Sequence, residues 1–400
     1  LSRFKYFKVI ALVTFFAFMF PLLMFSKNVD ANLPVKVFVD GVELETDVPP
    51  TIINDRTMVP LRAISEGLGM KVDWLEEDRY VIIETKKEET PKEILTSEEI
   101  FEQTIFGESF ATSKQITKVA LKEGVVRIYP NISDNELDYY VTRAQINVTA
   151  DKNELTTEEV KLLNKIITKN SSEFKNLTSA KKDEYLSSIA TTYYKLAQLY
   201  LDVGEDYGIR GDIAFFQAAH ETGWWRFGGD AIVDQNNYCG LGTTGSVKTE
   251  EDIDIRGADP NRVWYKPDTK HGAFFDKPVT GVEAQMQHLF AYASTKSLPS
   301  DKELVSPRFR LVNRGSAPNW IDLGGKWAFP GYSRTSYSSL EEAMSANDTY
   351  GHTILKHYMK IPDLTKAVKE LTLEQRIEQL EKENQELKLE NERLRGLLYK

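Results

Sequence analysis

The chain has 400 residues, enough for about two or three domains, and its 41% hydrophobic and 28% charged residues fit a soluble globular protein. Lys and Arg number 50 against 60 Asp and Glu, a net charge of -10, which excludes both a basic nucleic-acid surface and retention on an anionic polymer by bulk charge. The single cysteine, Cys239, excludes an intrachain disulfide, a thiolate zinc cluster and a Cys-x-x-Cys motif.

Residues 1–31 have a basic start at Arg3, Lys5 and Lys8, then an uncharged apolar run from Val9 to Phe25, then Val29-Asp30-Ala31. That order is expected of a secretory signal peptide, or of an anchor if it stays uncleaved; it predicts an exported protein, secreted or wall-associated. Residues 34–85 read as a small β-rich module. Val35 to Val39 and Asp40-Gly41 suggest a hairpin, a short helix opens after Val59-Pro60 and ends near Gly67 or Gly69, and Lys71–Trp74 with Tyr80–Ile83 suggests a second hairpin. Residues 86–95, rich in Lys and Glu, read as a linker. From 96 onward the pattern is mainly helical. Ser97-Glu98-Glu99 opens one helix, and Ile189 to Val203 places Tyr193, Leu196, Ala197 and Tyr200 on one face, with Gly204 as its stop.

A further helix is predicted from Ile213, capped by Asp212 and ended by Gly223. Glu221 then falls in its last turn, at the negative end of the helix dipole, beside Trp224 and Trp225. Both surroundings disfavour a charged carboxylate and raise its pKa, as a general acid at neutral pH requires. The bland alternative is a solvated glutamate at a helix end. His220-Glu221 also begins a zincin-like pattern, but Trp224 stands where the second His would be, so no metal site is expected. No cofactor is expected either.

Arg210 to Trp225, continuing through Arg226-Phe227-Gly228-Gly229-Asp230 and Gln235-Asn236-Asn237-Tyr238-Cys239-Gly240-Leu241-Gly242, resembles the catalytic segment of glucosaminidase-domain hydrolases, glycoside hydrolase family 73. The likeness resumes at Gly281 to Leu289, Arg314 to Pro318 and Gly325 to Gly331, and ends near Tyr350-Gly351. It implies an α+β, predominantly helical, lysozyme-like catalytic domain with a small β-lobe over 96–362. It also implies cleavage of the β-1,4 bond after N-acetylglucosamine in peptidoglycan strands, in an autolysin or endolysin role. Glu221 would be the general acid, with Tyr350 near the site. A muramidase or lytic transglycosylase on the same fold, or a wall-binding protein without activity, are the rival readings.

The second group is open: a carboxylate among Glu250, Glu251, Asp252 and Asp254, or the substrate's own acetamido group. Asn236 and Asn237 could bind an N-acetyl group or simply form the turn. Of the tryptophans, Trp224 and Trp327 are favoured as sugar platforms. Cys239 reads as buried and inert. Residues 54–69 resemble the N-terminal domain of copper amine oxidases, although residues 34–85 contain neither His nor Cys to hold copper; wall binding and a plain spacer are both open.

Residues 366–400 are predicted to form a coiled coil. Leu373, Leu380, Leu387 and Leu394 fall at d, and Ile377, Asn384, Asn391 and Leu398 at a. The g-to-e′ pairs Arg376–Glu381, Glu383–Lys388 and Glu390–Arg395 have opposite signs, which suits a parallel homodimer.

Overall fold

The computed structural model describes residues 34–367, apart from 40–41, 77–78, 85–91, 152, 244–248, 250–253, 268–271 and 363. The signal-like segment and the heptads therefore lie outside the described residues. The chain divides into two compact units, residues 1–89 and 90–400.

In the first unit, three two-stranded antiparallel ladders pair β1 (Phe38–Val39) with β2 (Val42–Glu43), β3 (Thr51–Ile53) with β4 (Arg56–Met58), and β5 (Lys71–Leu75) with β6 (Tyr80–Glu84). Among the described residues of this unit, helix α1 (Leu61–Gly67) follows Pro60. Arg62 ties it to β5 by donating to the Val72 carbonyl at 2.8 Å.

The second unit begins with β7 (Lys92–Ile94), which pairs antiparallel with β10 (Thr365–Ala367). Residues 92–94, expected in a linker, and 366–367, expected in a coiled coil, are thus a ladder of this unit. Local composition reads as solvated chain at both places because the pairing partner is some 270 residues away, beyond any sequence window.

Helices α2 (Ser97–Phe101), α3 (Ser113–Val125), α4 (Asp134–Asp151), α5 (Thr157–Ile167) and α6 (Ser171–Lys175) come next. Thr96, Thr112 and Thr156 each open a helix with a reciprocal capping box. They lead to α7 (Ser179–Tyr207), the long central helix, against which α3, α4, α5, α8 (Gly211–Glu221) and α9 (Pro278–Ala293) pack. Gly204 does not stop α7, which runs on to Gly208 at φ 65°. Gly204 serves a close crossing instead, since a Cβ there would sit 2.6 Å from the Gly211 Cα. A Cβ on Gly211 would in turn lie 2.1 Å from the Tyr200 carbonyl oxygen.

α8 is buried along Gly211–Ala219, as expected for a helix apolar on all sides. Besides α7, α11 (Tyr350–Tyr358) packs along it and Gln285 of α9 donates to its Ala214 carbonyl; α10 (Leu340–Ser345) precedes α11 in the chain. The predicted β-lobe is reduced, among the described residues, to β8 (Val263–Trp264) paired with β9 (Phe274–Phe275). No helix of the described residues is long and apolar enough to cross a membrane.

Candidate active site

α8 starts two residues earlier than its sequence suggests, at Gly211, and Asp212 is not its cap. The Asp212 carboxylate is fully buried and has a different task. It accepts from the Phe110 and Ala111 amides at 2.9 and 3.2 Å, from Arg210 Nε and Nη2 at 2.9 and 2.8 Å, and from Tyr358 at 2.7 Å. Burial alone would raise its pKa, but the Arg210 charge and these donors outweigh burial and hold it below the usual range. The cluster fixes the start of α8 to the loop before α3 and to α11.

The far end of α8 is a sharp stop. The Thr222 hydroxyl donates to the Ala218 carbonyl at 2.7 Å and accepts from the Trp225 amide at 2.9 Å. Gly223, Trp224 and Trp225 then take φ of 59°, 60° and 62°, a left-handed turn that non-glycine residues adopt only under tertiary constraint. That constraint is burial of both indoles. Trp225 packs on Tyr193, Phe215 and Tyr238, and Trp224 on Phe216 and His357. Trp224, expected as a sugar platform, is only 7% exposed and does not line the cavity at Glu221. Its bulk anchors the turn.

Glu221, the last residue of α8, opens onto a cavity of about 340 Å³. Thr222, Phe227–Ala231, Asn237, Cys239, Gly240, Thr243, Trp327 and Ala328 complete the wall. The Glu221 side chain is reachable from this cavity, yet protein surrounds it closely on the other sides. Desolvation is the dominant influence and raises its carboxyl pKa, while hydrogen bonds from Tyr350 and Trp327 partly oppose the rise.

Both donors converge on one oxygen: Trp327 Nε1 donates to Oε1 at 3.2 Å, and the Tyr350 hydroxyl makes a short bond to the same atom. A protonated Glu221 therefore carries its proton on Oε2. Behind Tyr350 runs a buried file of donors, all pointing the same way. Tyr200 donates to Gln285 Oε1 at 2.7 Å, Gln285 Nε2 to Gln217 Oε1 at 2.8 Å, and Gln217 Nε2 to the Tyr350 hydroxyl at 3.1 Å. With its acceptor capacity used by Gln217, the Tyr350 hydroxyl has its proton left for Glu221. This file was not foreseen, although Gln217 and Gln285 are polar residues on largely apolar helices.

Asn236 and Asn237 are both 1% exposed, and their amides are engaged within the protein. Asn236, at φ 51°, donates to the Phe275 carbonyl at 3.0 Å and meets Thr157 at 3.1 Å. Asn237 donates to the Leu241 and Ala273 carbonyls at 2.9 and 3.1 Å and accepts from the Leu241 amide at 2.9 Å. Both amides staple a turn to the β-lobe; Asn237 also lines the cavity at Glu221, whereas Asn236 does not.

Cys239 lies buried on the cavity wall, its thiol pushed well up by burial and secondarily by the Glu221 charge. Glu250, Glu251 and Asp252 lie outside the described residues. Asp254 is exposed and engaged with Arg256. Among the described residues, Asp230 is the carboxylate that lines the cavity together with Glu221; it carried no distinctive sequence signal. No cluster of three or more His, Cys, Asp or Glu able to hold a metal occurs among the described residues. A larger groove of about 430 Å³, walled by α4, α7 and Val279, shares no residue with this cavity.

Residues 197–363 match the family model described as mannosyl-glycoprotein endo-beta-N-acetylglucosaminidase, and residues 37–100 match that of the copper amine oxidase N-terminal domain. An uncharacterized protein of Borreliella burgdorferi is 36% identical over 133 residues, which cover 33% of this chain and 53% of that protein. The chain thus spans about half the length of the curated relative it matches. No solved structure matches. The matched span of residues 197–363, which contains Glu221, Trp327 and Tyr350, is thus similar to a glycoside hydrolase domain of the endo-β-N-acetylglucosaminidase kind.

Proposed function

We propose that the protein is an exported peptidoglycan hydrolase that cuts the β-1,4 bond after N-acetylglucosamine, with Glu221 as its general acid. The observation that carries this reading is a cavity-facing helix-end carboxyl with a raised pKa, held by two donors on one oxygen, within a glucosaminidase domain. Glu221 Oε2 delivers its proton to the glycosidic oxygen as the bond to the anomeric carbon breaks. Such a contribution is worth about 10²–10⁴-fold in rate. Tyr350 and Trp327 then stabilise the carboxylate that remains, because charge-assisted hydrogen bonds strengthen as the negative charge appears.

The half-exposed Trp327 presents ring surface to the same cavity and can contact a sugar bound there. Asp230, which lines the same cavity, is our candidate for taking the proton of an attacking water, with the substrate's acetamido group as the other route to the second step. Export rests on residues 1–31, and homodimerisation on the heptads of 373–398.

The test is digestion of purified sacculi followed by borohydride reduction and mass spectrometry of the fragments. N-acetylglucosaminitol at the new reducing ends is expected from the wild type and none from Glu221→Gln. Muramitol ends or anhydro-sugars would reassign the bond that is cut, and intact sacculi would remove the reading altogether.

A further inference from the structure

Across Trp327 from Glu221 lies a second, smaller cavity of about 190 Å³. It shares Cys239, Gly240, Thr243 and Trp327 with the first, so the two adjoin along one wall. Its remaining lining includes His288, Tyr292, Arg308 and Lys326, and no carboxylate.

Tyr292 and Lys326 are bonded within the protein, but the His288, Thr243 and Arg308 side chains are left without partners. His288, on α9, is 4% exposed and makes no hydrogen bond among the described residues; its Nδ1 is a buried orphan. Its ring is pinned by Trp327 at 4.7 Å and Tyr292 at 5.1 Å between centroids. The Thr243 hydroxyl is a second buried orphan. The neighbouring Gln287 carboxamide clamps the 303–306 segment. It donates to the Glu303 carbonyl at 2.6 Å and accepts from the Val305 and Ser306 amides at 2.8 and 3.0 Å. Two residues on, Arg308 is thereby presented to the cavity, and its side chain has no ion pair or hydrogen bond among the described residues. A half-buried guanidinium facing orphaned donors leaves desolvation uncompensated unless an acceptor arrives.

We propose that this cavity is an anion subsite in which Arg308, His288 and Thr243 bind a carboxylate of the substrate beside the scissile bond. Arg308 provides the charge and a forked donor that matches a carboxylate. Burial, and then the Arg308 charge, push the His288 pKa down to about 3, so the imidazole is neutral and offers one N–H.

The inference rests on the hydrolase reading and narrows it. A neutral chitin-like or high-mannose glycan has nothing to place here. Peptidoglycan carries carboxylates on every second sugar, either the lactyl group itself in strands stripped of peptide or the acidic residues of the stem peptide.

The test compares kcat/KM of wild type, Arg308→Gln and Arg308→Lys on three substrates: peptide-bearing strands, amidase-stripped strands, and neutral chito-oligosaccharides. Arg308→Gln should lose about 10- to 100-fold on acidic strands, the range of a charge-assisted contact. It should leave the neutral substrate unchanged, and Arg308→Lys should recover part of the loss. A loss confined to stripped strands identifies the lactyl carboxylate, and one confined to peptide-bearing strands identifies the stem peptide. Equal losses on acidic and neutral substrates, or none, would overturn the proposal. Binding of free N-acetylmuramic acid against N-acetylglucosamine, followed by calorimetry, needs no turnover. A preference for the acid that disappears in Arg308→Gln supports the subsite even if sacculi are not cleaved; no preference in the wild type excludes the lactyl carboxylate, and together with no selective loss on peptide-bearing strands it sinks the proposal.

Discussion

Replacing Tyr350 by Phe removes one oxygen atom and isolates two different effects. Gln217, fully buried, donates to that oxygen at 3.1 Å, and its amide is then left without this acceptor. An orphaned buried donor costs about 1–3 kcal/mol. For a domain of this size each kcal/mol moves the melting temperature by about 2–4 °C, so a fall of about 2–12 °C is expected. The companion change Gln217→Leu removes the orphan, and in a double-mutant cycle Tyr350→Phe should cost less on that background than alone.

The second effect is on Glu221. Tyr350 donates to its carboxylate and so favours the ionised form. Without that donor the pKa rises further, and a general acid stays protonated to higher pH. The alkaline limb of the kcat/KM profile should shift upward, while the rate at the optimum falls by less than the roughly 10²–10⁴-fold expected from losing the acid itself. Calorimetry and a pH series on soluble muropeptide oligomers measure both. A folded Tyr350→Phe whose alkaline limb is unmoved, or moves down, would refute the assignment of Tyr350 as a donor to a working acid.

Other outcomes follow from the same geometry. The native state binds the Glu221 proton more tightly than the unfolded chain does, so this stability contribution is present at low pH and is lost as pH rises through the folded value. Glu221→Gln should therefore be inactive yet gain on the wild type in melting temperature as pH rises above the ordinary glutamate value and through the raised folded one. Arg210→Met leaves Asp212 charged and buried, and urea titration should show a loss of about 3–5 kcal/mol. Gly211→Ala drives a Cβ into the Tyr200 carbonyl and should cost about 1–3 kcal/mol or more, whereas Gly228→Ala, with open space around it, should be tolerated. Deleting 368–400 spares the β7–β10 ladder. Light scattering should show a dimer falling to a monomer, with cleavage of short soluble fragments unchanged.

What could be read from the chain itself divides along physical lines. The apolar run of α8 and the position of Glu221 at its end follow from local periodicity and helix-stop signals. The junction of Tyr350 and Trp327 at one oxygen does not: their partner is 129 and 106 residues away, and only the family likeness suggested a meeting. The backbone-stapling role of Asn236 and Asn237 was not legible because an amide in a Gly-rich turn looks the same in sequence whether it faces a ligand or staples its own backbone. Gly204 was misread as a stop because a glycine required by a helix crossing 2.6 Å away leaves no local trace. The Tyr200–Gln285–Gln217 file was invisible for a related reason: two of its members lie on different helices, 68 residues apart, and neither has a neighbour that announces it.

The pairing of β7 with β10 has a mechanical meaning. Lys92 lies opposite Ala367 and Ile94 opposite Thr365, so the preceding and following stretches of chain leave from the same end of the ladder. Tension transmitted through those two stretches peels the strands apart one hydrogen bond at a time instead of shearing them together. The ladder, not the helices that carry Glu221, takes the first strain. An enzyme tethered at both flanks to a stretched polymer would give way there, with its cleft still assembled.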